Sequence, residues 1–187
     1  QENAAAFAMR ELPTGFTHAL LQHLPEIAPG RRAKAARDYL ERAAAELSKA
    51  QQRSIASEVM AILEHPEFHR LFGAGAEAEV PIAARLEDPA GRAEPIRVSG
   101  QIDRILVSDR EVLIVDFKTN RPPPAEITAV AEAYLLQLAA YRMVLREIYP
   151  GKSVSAALLW TYDARLMPVD GGLLDAAEKR LFDRVVT

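Results

Sequence analysis

The sequence predicts an α/β chain with a helical extension at its N-terminal side. Two observations lead there. Residues 31–72 carry their apolar side chains at helical spacing. After them the patterns run strand, hairpin, helix, strand and a closing helix. The expected division is an N-terminal helical part over residues 1–75 and a core over residues 76–187, together one compact domain.

Residues 1–11 are Ala-rich and unconvincing as core. Thr14 can cap a helix that runs through Phe16, Ala19, Leu20, Leu21 and Leu24 and ends at or soon after Pro25. His18 and Gln22 share a face of that helix, and a lone His is ordinarily a surface or hydrogen-bonded residue. Pro29-Gly30 interrupts the chain. A helical region is expected from Arg31 to about Phe72, divided at Gln51-Gln52-Arg53-Ser54 with Ser54 as the cap, and His65-Pro66 ends its second helix. The cluster Arg31, Arg32, Lys34 and Arg37 is either a solvated helix end or a set of phosphate contacts. Gly73-Ala74-Gly75 is a linker, since neither its spacing nor a following Lys makes a phosphate loop.

Glu77 to Ile82 alternates like a strand with Glu77 and Glu79 on one face, and Pro81 favours an edge or a bulge. Residues 87–95 form a polar loop, mobile by composition. Two apolar runs, Ile102–Val107 and Val112–Phe117, then flank Ser108-Asp109-Arg110-Glu111 and predict a hairpin. A loop of two residues or of four pairs Val107 with Val112 and, counting outward, Asp103 with Asp116. Alternation adds Lys118, Ile105 and Ile114 to that face and puts Arg104 on the other. Opposed carboxylates destabilise a sheet unless a cation lies between them, so the hairpin reads as a divalent metal site.

Thr119 to Pro124 is an extended linker. A helix begins between Ala125 and Glu132 with an apolar stripe of Tyr134, Leu138, Tyr141, Leu145 and Ile148, and Pro150-Gly151 stops it. Gln137 lies one turn before Tyr141, either as a helix-edge pair or as a functional one. Residues 153–162 form a strand apolar on much of both faces, hence a central one. Asp163-Ala164 turns it into Leu166–Val169, and Leu173–Val186 is a closing amphipathic helix.

The 187 residues are 49% hydrophobic and 26% charged, with a net charge of −3, so no bulk pull toward nucleic acid is expected. No apolar run approaches the roughly 18 residues of a membrane span. The chain has no Cys, which excludes disulfides, thiolate zinc sites and an iron–sulfur cluster and agrees with a cytoplasmic location. It opens on Gln1 with its first Met at Met9, as expected of a piece of a longer protein.

Asp116-Phe117-Lys118, Asp103 within GQIDR, Glu79 on the preceding strand, Gln137 and Tyr141 as a QxxxY pair, and His18 on the first helix appear in the order and spacing of one family. The chain resembles the PD-(D/E)XK nucleases, in their RecB-like branch. GQIDRI, IVDFKTNRPPP, AYLLQLAAYR and LLWTYDARLM are similar to the C-terminal nuclease domain of AddA-type helicase–nuclease subunits, over residues 13–175. Phe16 departs mildly from the small residues common before that histidine.

The resemblance implies a restriction-endonuclease-like core, a central mixed sheet flanked by helices. It implies a metal-dependent deoxyribonuclease of exonuclease type, cutting DNA single strands in double-strand-break repair and recombination. Its catalytic residues would be Asp103, Asp116, Lys118 and Glu79. Mg²⁺ or Mn²⁺ would be held by His18, Asp103, Asp116 and the main-chain carbonyl of Phe117. Gln137 and Tyr141 would brace the site or hold the DNA backbone. The implied partners are DNA, N-terminal helicase domains of the same chain and a second subunit of AddB type. The competing expectation is a catalytically silent module that keeps the fold to bind DNA or a partner subunit.

Overall fold

A computed structural model of the chain describes residues 14–183. The expectations for residues 1–11 and for the end of the closing helix lie outside them. The chain forms two units. The first takes the chain as far as Ala74 together with Phe117–Pro123 and Leu159–Leu166; the second comprises Gly75–Asp116, Pro124–Leu158 and the remainder from Met167.

In the first unit, α1 (Thr14–His23) leads into a 3-10 turn at Leu24–Glu26, followed by α2 (Pro29–Ala43) and α3 (Lys49–Leu63). Pro29 stands in the first helical turn, where its missing N–H costs nothing, so α2 starts two residues before the expected Arg31. Arg32 is a structural residue: its guanidinium donates to the carbonyls of Leu24, Pro25 and Ile27. Lys34 pairs with Asp38 one turn along the same exposed face. Leu20, Leu21, Leu40, Ile55, Val59 and Ile62 close the core of this unit.

The boundary between α2 and α3 corrects the sequence reading. The cap is Ser48, not Ser54. The Ser48 hydroxyl accepts from Gln51 N at 3.2 Å, and the Gln51 side chain accepts from Ser48 N at 2.9 Å, a reciprocal capping box. Ser54 lies inside α3 and donates to Glu58. Gln52, expected at the break, is buried in α3 and donates to the carbonyls of Ala44 and Leu47.

The five strands form one sheet in the order β1 (Ala76–Leu86), β2 (Ile96–Val107), β3 (Glu111–Lys118), β4 (Ser153–Trp160), β5 (Arg165–Val169). β1 and β3 both run antiparallel to β2. Between β3 and β4, Ser153 N donates to Arg110 O and Thr161 N to Lys118 O. Partner numbers rise together, so these two strands are parallel and the sheet is mixed. β4 has a neighbour on each side and is buried at every residue from Ala156 to Trp160, as its two-faced apolar pattern predicts. Pro81 stands on the edge strand β1.

In the second unit α4 (Glu132–Ile148) packs on β1 and on α5 (Gly171–Asp183). The α4 stripe is buried at Leu138, Tyr141 and Leu145, but Ile148 is exposed, because the helix gives way to Tyr149 and Pro150 there. Arg142, 3% exposed, crosses to α5 and donates to Asp175 at 2.5 Å and Glu178 at 2.6 Å. The polar loop before β2 is organised by the Asp88 carboxylate, which accepts from the backbone N–H groups of Ala90, Arg92 and Ala93. No helix among the described residues is long and apolar enough to cross a membrane.

Candidate metal and catalytic site

The hairpin sets the geometry. Its register pairs Val107 with Val112, Ile105 with Ile114, and Arg104 with Val115. Ser108 N donates to Glu111 O at 2.9 Å, leaving Asp109 and Arg110 as the two-residue loop. Continued one residue beyond Arg104 and Val115, this register sets Asp103 opposite Asp116. Asp116 is 3% exposed and Asp103 is half-buried. Ile105 and Ile114, on the same face, are fully buried and leave no slack in the register. Lys118 ends β3 and is half-buried.

Glu79 interrupts the β1–β2 ladder. Pairing holds at Ala78 with Arg104 and at Val80 with Ile102, and between them Glu79 stands opposite Asp103 in a left-handed conformation, φ 52°. That conformation costs a non-glycine residue roughly 1–2 kcal/mol. Its carbonyl accepts from the Gln101 side chain at 3.1 Å. The regular alternation expected of this strand stops here: Glu77 is exposed while Glu79 is half-buried.

Arg104 is 4% exposed. Burial pulls its pKa down to about 10, against the upward pull of the Glu79 and Asp103 charges.

Gln137 and Tyr141 act on β2. Gln137 Nε2 donates to Tyr141 Oη at 3.1 Å, and Tyr141 Oη donates to Gln101 O at 3.2 Å. Burial, with the nearby Asp116 and Asp103 charges adding to it, pushes the phenol pKa up despite these bonds. Gly100 makes the approach possible, since a Cβ there would lie 2.9 Å from Tyr141 Oη. The reading of GQIDR missed this role; the signal was a glycine inside a strand three residues before an acid.

In the first unit His18 Nδ1 donates to Thr14 O at 2.8 Å, and its ring lies 5.8 Å from that of Phe117. Metal-bound imidazoles are commonly oriented by such a bond from Nδ1 to a carbonyl, which turns Nε2 to the cation. In the second unit two carboxylates on facing strands suit a hard cation that takes oxygen ligands and keeps several waters. Among the described residues no group of three His, Asp or Glu side chains comes together as a ready-made metal cluster.

A family model described as the PD-(D/E)XK nuclease superfamily matches residues 14–184. Among solved structures, one described as "Crystal structure of SSO0001" is 16% identical, with a TM-score of 0.41, covering 91% of this chain and 73% of that one. No curated protein matches the chain.

Proposed function

We infer, from the premise that this chain belongs to the PD-(D/E)XK nuclease superfamily, that it is a Mg²⁺- or Mn²⁺-dependent deoxyribonuclease that hydrolyses single strands. The observation that carries this reading is the hairpin register, which sets Asp103 opposite the buried Asp116. Two facing carboxylates in a sheet call for a cation. The residues we assign as its donors are Asp103, Asp116, the Phe117 carbonyl and His18, with Glu79 as a further acid. A bound divalent cation supplies Lewis acidity and offsets the charge of the scissile phosphate. Lys118 orients the attacking water, helps to take its proton and stabilises the charge that develops on phosphate oxygen. Gln137 and Tyr141 hold β2 at Gln101, two residues before Asp103, and so fix the acid's backbone.

We further assign the chain to the nuclease end of an AddA-type helicase–nuclease. It would act as an exonuclease on strands delivered by helicase domains of the same chain, beside an AddB-type subunit, in cytoplasmic double-strand-break repair. What supports this is the likeness of GQIDRI, IVDFKTNRPPP, AYLLQLAAYR and LLWTYDARLM to that group.

The test compares parent, Asp116→Ala, Lys118→Ala and His18→Ala in single-strand cleavage and in Mn²⁺ titration calorimetry. Cleavage by the parent should need Mg²⁺ or Mn²⁺ and stop in EDTA. Asp116→Ala should lose both cleavage and Mn²⁺ binding, while Lys118→Ala loses cleavage and keeps the cation. His18→Ala should bind Mn²⁺ more weakly. Mn²⁺ should stabilise parent and Lys118→Ala by about 2.7 kcal/mol at a hundredfold excess over Kd, read as a rise in melting temperature, and leave Asp116→Ala unmoved. A silent binding module predicts no cleavage by the parent and no Mn²⁺ effect on any variant. Equal Mn²⁺ binding by parent and Asp116→Ala would overturn the site assignment.

A further inference from the structure

Tyr162 and Ile148 are the large apolar residues left exposed among the described residues, and Tyr162 is 51% exposed. It is the more unusual of the two, because it directly follows Trp160 and Thr161, which are 0% and 1% exposed. The ring is held in place from one side. Arg121 Cζ lies 5.0 Å from its centroid, within cation–π range. Arg121 is itself fixed: its Nη2 donates to both carboxylate oxygens of Glu58, at 2.5 and 2.6 Å, and both side chains are nearly buried. Helix α3, through Glu58, therefore anchors a guanidinium that backs an aromatic ring. The ring's place is set as well, since Thr161 N donates to Lys118 O at 2.9 Å. Tyr162 thus follows the residue bonded to Lys118, the side chain proposed to orient the attacking water.

We propose that Tyr162 is a stacking platform for one unpaired nucleobase of the strand that passes Lys118. The inference rests on the nuclease reading and adds a substrate contact to it. The chemistry is that of sequence-tolerant single-strand binding, in which an aromatic face takes any base. A ring already immobilised by Arg121 loses little freedom when a base stacks on it, so more of the contact energy appears as affinity. The Arg121 charge is balanced by Glu58, so what the pair presents to the strand is a rigid ring rather than a phosphate-binding cation. Bases of an intact duplex are stacked on each other and cannot use such a platform, so it favours single strands.

The test measures binding of a labelled oligothymidylate, and of the same backbone carrying abasic residues, by fluorescence anisotropy in EDTA. The parent should prefer the intact strand, and Tyr162→Ala and Tyr162→Leu should lose on the order of 5- to 150-fold in affinity for it. Affinity for the abasic strand should stay at the parent value in every variant. Tyr162→Phe should keep the preference, because the ring face rather than the hydroxyl makes the contact. Glu58→Gln, which loosens Arg121, should fall between parent and Tyr162→Ala. The inference is overturned if the parent binds both strands equally, or if Tyr162→Ala retains the parent's preference. Its failure is separable from that of the nuclease reading. Mn²⁺-dependent cleavage by Tyr162→Ala with unchanged base preference refutes the platform alone, whereas a parent that never cleaves but loses base preference on Tyr162→Ala refutes the nuclease alone.

Discussion

Replacing Gly100 by Ala tests how the strand carrying Asp103 is held. The added Cβ would lie 2.9 Å from Tyr141 Oη, 3.4 Å from Cε1 and 3.5 Å from Cζ. Ordinary contact begins near 3.4 Å, so the hydroxyl must retreat by roughly half an ångström. It has little room, because Tyr141 is 6% exposed and its hydroxyl is bonded to Gln137 and Gln101. Overpacking of this kind costs about 1–3 kcal/mol, and the strained bond to the Gln101 carbonyl adds about 1 kcal/mol. The lower backbone entropy of Ala in the unfolded chain returns about 0.4–1 kcal/mol. The net loss is about 1–3 kcal/mol, or a fall of about 3–10 °C in melting temperature for a chain of this size. Tyr141→Phe removes the clashing oxygen and leaves contacts of 3.4 and 3.5 Å, which a Cβ tolerates. Gly100→Ala should therefore cost almost nothing when added to Tyr141→Phe, a non-additivity of about 1–3 kcal/mol in a double-mutant cycle. Urea or thermal unfolding of the four proteins supplies the cycle. Additive losses would refute the close-approach argument.

The capping box predicts that Ser48→Ala costs about 1 kcal/mol, or about 2–4 °C in melting temperature. Ser54→Ala should cost less than half as much, since its hydroxyl serves only Glu58 inside the helix; equal losses would mean that the box is not what starts α3. Asp88 makes a prediction in acid. Its three backbone N–H donors, Ala90 foremost, hold its carboxyl below the ordinary 3.8 despite the cost of burial. The folded chain thus binds the proton less readily than the unfolded one. This contribution is present above pH 3.8 and is lost as pH falls from there through the lowered folded value. Melting temperature followed downward from pH 5 should fall less steeply in Asp88→Asn than in the parent, and parallel curves would show that the carboxylate contributes nothing to acid stability.

Much of the fold was legible because its signals are local. Two apolar runs around a short polar break allow few registers, and the buried Ile105 and Ile114 leave one of them. Pro29, Pro66 and Pro150 punctuate helices wherever they stand. The errors arose where two local signals competed or a tertiary contact decided. Ser48 and Ser54 are both plausible caps, and the Gln three residues after Ser48 should have chosen between them. Glu79 looks like an ordinary alternating residue, and nothing nearby in sequence announces its positive φ. The Gly100 contact is 41 residues long and the Arg121–Glu58 pair 63, so neither leaves a local trace. Tyr162 was read as part of an alternating strand, but β4 stops at Trp160 and the turn carries the ring outward.

The charges of the second unit explain how a buried guanidinium is held there. The β2–β3 register, continued one residue beyond Arg104 and Val115, sets Asp103 opposite Asp116, and Asp116 is almost wholly removed from solvent. Arg104 follows Asp103 on β2 but points to the other sheet face, so it adds positive charge without occupying the space between the acids. Its pKa of about 10 is low for a guanidinium, yet three units above neutrality, so the side chain stays charged while buried. A buried cation of this kind is unfavourable by itself and is sustained by the Glu79 and Asp103 charges. Replacing it by an apolar residue would remove a desolvation cost and leave the fold able to form. On this reasoning Arg104 contributes charge beside Glu79 and Asp103 rather than packing.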